Sequence, residues 1–120
     1  MSLRALIAAA TLVLTARQSS SDVPHRITGD VQRGQQTIVR LECGVCHVIP
    51  GIPGARGRVG PSLAAYRRNV YIAGRYPNLP EVLVRFVRDA PSLAPDTAMP
   101  SIAMSEREAR DIAAYLYSLE

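Results

Sequence analysis

Cys43-Gly44-Val45-Cys46-His47 is the stretch that decides how this chain is read. Two thiols separated by two residues can add to the two vinyl groups on one edge of a porphyrin, and the residue that follows presents its imidazole to the iron. The stretch reads as a c-type haem site. Other uses of paired cysteines compete with that reading. A tetrahedral zinc site needs about four ligands, whereas the whole chain holds two Cys and two His, with His25 in a different segment, so zinc would have to recruit carboxylates. A thioredoxin-like redox pair belongs at a helix start within a βαβ pattern, and no alternating or β-branched run flanks the motif. A disulfide across so tight a loop would constrain little of the unfolded chain.

The chain has 120 residues, enough for one domain, and its hydrophobic fraction of 48% includes an apolar leader. Residues 1–4 carry a positive charge at Arg4, residues 5–16 are uncharged and mainly apolar, and residues 17–22 are polar. This is the layout of an export signal, and the run is too short to span a bilayer, which takes about 20 residues. We assign residues 1–21 as an export signal or N-terminal anchor, 22–29 as a polar tether and 30–120 as the folded domain. Ala16 suits a cleavage site and Leu14 does not, so cleavage near Ser20 or Ser21 stays open. Leu14-Thr15-Ala16-Arg17 has the look of a bacterial lipoprotein box with Arg at the position of the lipidated Cys. An exported domain of about 99 residues has a small core, and an internal haem would supply the missing apolar mass.

The first helix is predicted from Asp30, a good N-cap, toward Glu42. Val31, Gly34, Ile38, Leu41 and Val45 recur at spacings of three and four and form one apolar face leading into the motif. Residues 48–60, rich in Gly and Pro, form a loop that would wrap the His47 side of the haem. A second helix is predicted over 80–89, with Pro80 early and Val82, Leu83, Phe86 and Val87 on one face. Pro91 and Pro95 end it and force an extended segment through Met99-Pro100. Ser105-Glu106-Arg107-Glu108 is a capping box, followed by an apolar stripe of Ala109, Ile112, Ala113, Leu116 and Leu119. The plan is all-α, three to five helices joined by long loops, and loops of this length in so small a domain point to a large ligand.

Over residues 30–119 the chain resembles a class I monohaem cytochrome c. The resemblance rests on a helix into C-x-x-C-H, then Gly60-Pro61-Ser62-Leu63, then Thr97-Ala98-Met99-Pro100, then a terminal helix containing Tyr115-Leu116. It implies a small fold wrapped around one covalently attached haem c per chain. It implies that Cys43 and Cys46 attach the haem and that His47 ligates the iron. It also implies that the carbonyl of Pro61 accepts from the other ring nitrogen of His47, fixing ring plane and tautomer, and that Met99 is the sixth ligand. Met104 competes for that place, its alternative use being to fill a core gap; His25 would give bis-His ligation but reads as a solvated tether residue. Residues 71–81, running on through Arg88-Asp89 to Met99-Pro100, are similar to the haem c domain at the end of subunit II of some haem-copper oxidases. That similarity suggests a respiratory setting. The chain has no cupredoxin domain or copper ligands, so it would be a stand-alone relative. In helix one, Gly34 with Ile38 stands where the family commonly has Gly and an aromatic four apart.

Arg and acidic residues give a net charge of +4, which falls to +2 without Arg4 and Arg17. Nucleic acid is not implied. Between Cys43 and Pro80 lie Arg56, Arg58, Arg67, Arg68 and Arg75 with no Asp or Glu. Around an exposed haem edge, the Arg-rich segment 56–75 would steer an acidic partner; alternatively one or two of these Arg pair with propionates and the rest are solvated. Tyr71 and Arg75 are the candidate propionate contacts, while Tyr66, Tyr76 and Phe86 read as core or rim residues.

The function implied is outer-sphere single-electron transfer, not enzymatic catalysis, by a monomer that docks transiently with redox proteins such as a terminal oxidase or a dehydrogenase. Its setting would be periplasmic or the outer face of the cytoplasmic membrane, with membrane association only through the N-terminal segment. A dedicated haem c subunit of an exported dehydrogenase or oxidase, a haem ligand sensor or peroxidase lacking Met ligation, and a thiol-disulfide oxidoreductase are the other readings.

Overall fold

Asp30 caps the first helix as its sequence position predicts: its backbone is extended and its carboxylate accepts the Arg33 backbone N–H at 2.8 Å. The computed structural model describes residues 26–120. The leader and the first half of the tether, including His25, lie outside the described residues. Helix α1 spans Val31–Arg40, α2 Pro80–Arg88, α3 Ala90–Leu93 and α4 Glu106–Tyr117, with a hairpin of β1 (Tyr71–Ile72) and β2 (Tyr76–Pro77). Short 3₁₀ turns at Cys43–Val45 and Tyr66–Arg68 complete the regular structure.

Helix α4 organises the domain, since both α1 and α2 pack on it. Its capping box is complete: Ser105 Oγ accepts the Glu108 N–H at 3.2 Å, and Glu108 Oε2 accepts the Ser105 N–H at 2.8 Å. Those bonds from Ser105 hold the Glu108 carboxyl below the usual carboxylate range. The buried face of α4 is wider than an amphipathic stripe, covering Ala109 and every residue from 111 to 117. Within it, Ala109, Ile112, Ala113 and Leu116 join Ile38 of α1 and Leu83, Val84 and Val87 of α2 in one core.

Where α1 meets α4, Gly34 lies against the Asp111 carbonyl. A Cβ at Gly34 would fall inside that oxygen, 2.6 Å from the carbonyl carbon and 3.0 Å from the Tyr115 Cβ. The crossing therefore requires a residue without a side chain. Beside it, Asp111 is buried on α4 and reaches back to the start of α1. Its carboxylate accepts the Asp30 N–H at 2.7 Å and the Arg33 guanidinium at 2.9 and 3.1 Å. The Arg33 bond is the main reason its carboxyl lies below the ordinary aspartate range, against the opposing effect of burial.

Two expectations are corrected. The buried side of α1 runs through Gly34, Thr37 and Ile38, while Val31 and Val45 are exposed. Pro91 does not force the chain straight into extension: it sits in the first turn of α3, where proline's fixed φ suits a helix start. The domain is mainly helical, as expected, with one small addition: the 71–77 hairpin pairs Tyr71 with Pro77 and Ile72 with Tyr76. Its turn uses Ala73 at φ 51° and Gly74 at φ 66°, a left-handed pair without the usual Asn-Gly signature.

Gly34→Ala should force α1 from α4 and lower holoprotein stability by about 2–4 kcal/mol, read from the denaturant midpoint. Because the Asp111 carboxyl titrates below its unfolded value of 3.8, its stabilisation is full above that pH and is lost as pH falls through the depressed value. Asp111→Asn should thus be less stable than wild type at neutral pH, and the gap should close on acidification in pH-dependent denaturation.

Candidate functional site

The chain leaves α1 through Leu41, whose N–H still reaches Thr37 O at 2.9 Å, and then reverses at Glu42 in a left-handed conformation, φ 56°. That reversal starts the Cys43–Val45 turn. Cys46 N–H and His47 N–H both donate to Cys43 O, at 3.2 and 3.1 Å, so the two thiols and the imidazole leave a single tight turn. Cys43, Cys46 and His47 are all half-buried. Cys43 also packs on the core, and burial pushes its thiol above the ordinary cysteine value. A raised thiol is the opposite of the activated thiolate that disulfide exchange needs.

The loop after the motif folds back over it. Gly57 N–H donates to Gly44 O at 3.1 Å, Gly60 N–H to Cys46 O at 2.8 Å and Leu63 N–H to Val48 O at 2.9 Å, while Val48 and Arg56 form a bridge. This brings Pro61 to His47, whose Nδ1–H donates to the Pro61 carbonyl at 2.7 Å. Gly60 lies flat against the imidazole: a Cβ there would sit 2.7 Å from Nδ1 and 2.9 Å from Nε2. The glycine is thus part of the histidine's seat, which its place in Gly-Pro-Ser-Leu signals only as a turn. With Nδ1 engaged as donor, Nε2 carries the lone pair and is the ring nitrogen able to ligate a metal.

Among the described residues no group of three or more His, Cys, Asp or Glu converges on one point. The donor set is therefore two thiols and one imidazole on a single turn, which fits a covalently held haem and not a protein-only metal cage.

Met99 is half-buried in a loop where its N–H donates to Thr97 Oγ1 at 3.2 Å. Met104, also half-buried, packs against the core cluster, and Met99 is not among the described side chains that do so. Tyr71 is 59% exposed. Arg75 Nη2 donates to both carboxylate oxygens of Asp96 at 2.9 Å. Arg67 lies 3.8 Å from Glu120, whereas Arg56, Arg58 and Arg68 are exposed and form no ion pair among the described residues. The sequence reading did not foresee Asp96, which lies 21 positions from its partner.

Gly60→Ala should push the imidazole off its seat and break the bond to Pro61. Nitrogen NMR of the His47 ring should show a protonated, hydrogen-bonded Nδ1 in wild type and its loss in the variant.

The Cytochrome c family model matches residues 31–120. Cytochrome c2 from Rhodobacter sphaeroides shares the fold, with a TM-score of 0.54 and 21% identity, the match covering 77% of this chain and 97% of that one. No curated protein matches the chain. The turn bearing Cys43, Cys46 and His47, the Pro61 carbonyl behind the imidazole and a family match that takes in all four helices converge: this chain belongs to the cytochrome c family, a mainly helical electron-transfer protein, not an enzyme, with covalently bound haem c.

Proposed function

We propose that this chain is an exported single-electron carrier in which His47 and Met99 hold the haem iron from opposite sides, and that it delivers electrons to a terminal oxidase. The observation that carries the ligand assignment is the 2.7 Å bond from His47 Nδ1–H to Pro61 O, which leaves Nε2 as the basic nitrogen. Haem c, when bound, supplies a one-electron ferric–ferrous couple. Cys43 and Cys46 fix it along one edge. The Pro61 carbonyl raises the electron density of the imidazole and holds its plane.

Met99 supplies a soft, neutral thioether, which favours the ferrous state and raises the potential. Pro100 keeps the backbone after it extended. Met104 is assigned to core filling, supported by its packing against the core cluster. With His47 and Met99 both holding the iron, no position would be open for substrate, which fits a carrier better than a sensor or peroxidase.

Members of this family pass electrons to partner proteins, and the surface suits brief docking. Arg56, Arg58 and Arg68 are exposed and unpaired among the described residues, and they would orient an acidic partner. Val45 within the motif and Val59 next to Arg58 are 68% and 71% exposed, apolar area of the kind found at the centre of an interface. Tyr71 is the candidate propionate contact at the rim. The respiratory assignment rests on the similarity of residues 71–100 to the oxidase subunit II haem domain. Export rests on residues 1–21; among the described residues no helix is long and apolar enough to cross a membrane.

The holoprotein, exported from a host that attaches haem c, should show a low-spin spectrum with the ferric sulfur-to-iron band. Met99→Ala should abolish that band and lower the potential by on the order of 0.1 V, within the range axial ligands span; Met104→Ala should leave both in place. A wild-type protein without the band would overturn the Met99 assignment.

A further inference from the structure

The loop that carries Met99 is held only at its ends. On its far side, the Ile102 N–H donates to Arg88 O at 2.9 Å, which sets Ser101 opposite Asp89 in an antiparallel bridge, and the Ser101 hydroxyl donates to the Asp89 carboxylate. On its near side, both ties that reach back to an earlier element come from the hairpin. Tyr76 Oη–H donates to the Leu93 carbonyl at 2.8 Å, and Arg75 Nη2 donates to both oxygens of Asp96 at 2.9 Å. Between these ends, residues 98–100 form no hydrogen bond with another element among the described residues.

The hairpin is itself well anchored. Ile72 is 3% exposed within the core, the Asn78 N–H donates to Val70 O at 3.0 Å, and Asn78 Nδ2 donates to Asn69 O at 2.8 Å.

We propose that the 71–77 hairpin clamps the Met99 loop, with Arg75 and Tyr76 as positioning residues that keep the methionine on the iron. This rests on the assignment of Met99 as axial ligand. Departure of Met99 from the iron by movement of the 94–101 segment is opposed directly by the Arg75 tie to Asp96, and by the Tyr76 tie through Leu93, the last residue of α3, from which the segment starts. Arg75 thus acts on the axial ligand through Asp96.

The test is displacement of methionine by imidazole in the ferric holoprotein, followed by loss of the sulfur-to-iron band. Arg75→Met and Tyr76→Phe should each raise the apparent imidazole affinity by roughly two- to fivefold, the scale of one exposed ion pair or one neutral hydrogen bond. Arg75→Met with Asp96→Asn should go no further than either change alone, since the partners share one interaction. Arg75→Lys should restore part of the wild-type resistance. Arg40→Met, which removes an exposed pair with Glu108 elsewhere on the fold, should leave imidazole affinity unchanged. Wild-type affinity in both Arg75→Met and Tyr76→Phe, with the band present, would overturn the clamp and leave Met99 as ligand. An equal rise in Arg40→Met would overturn it too, by showing a general loss of stability. Absence of the band from the wild-type protein would overturn the ligand assignment, and the clamp with it.

Discussion

The close approach of α1 to α4 at Gly34 is the constraint on which the rest of the molecule depends. With no side chain between them, the α1 backbone lies against the Asp111 carbonyl, and the carboxylate of that same residue holds the Asp30 N–H and the Arg33 guanidinium. Position and direction of α1 are thus set together, by a steric limit at Gly34 and three charge-assisted hydrogen bonds from Asp30 and Arg33. Because the motif begins two residues after the α1 C-cap, that direction decides where Cys43, Cys46 and His47 leave the helix.

From there the site is built by short-range geometry. One left-handed residue turns the chain, one carbonyl gathers two N–H groups, and one loop returns to place a glycine and a proline carbonyl against the imidazole. Among the described residues no carboxylate takes part in seating His47. A neutral carbonyl partner stabilises the ring's position without adding a negative charge beside it.

Much of this was legible in the sequence wherever the controlling interactions are local. The C-x-x-C-H turn, the Asp30 cap, the Ser105–Glu108 box and the proline after Gly60 are each defined within a few residues. The fold's departures come from elsewhere. Pro91 was read as a stop, but proline fits a first helical turn as well as it ends a helix. The hairpin was invisible because each strand is two residues long and its left-handed turn begins on Ala73. The Arg75–Asp96 pair went unseen because the partners lie 21 residues apart and no local pattern links them. Val45 fits a helical period yet lies beyond the end of α1, where the period no longer applies.

The interaction that seals the fold joins Asp30 to Asp111, 81 positions apart. Loop-closure entropy opposes such a contact until most of the chain is present. A growing chain therefore contains the complete cysteine motif long before α4 exists to lock α1. In that interval the thiols lie on a segment with no tertiary partner to bury Cys43, open to covalent attachment. Once α4 docks, the same sequence separation works in reverse: unlocking the motif requires releasing the two ends of the domain from each other.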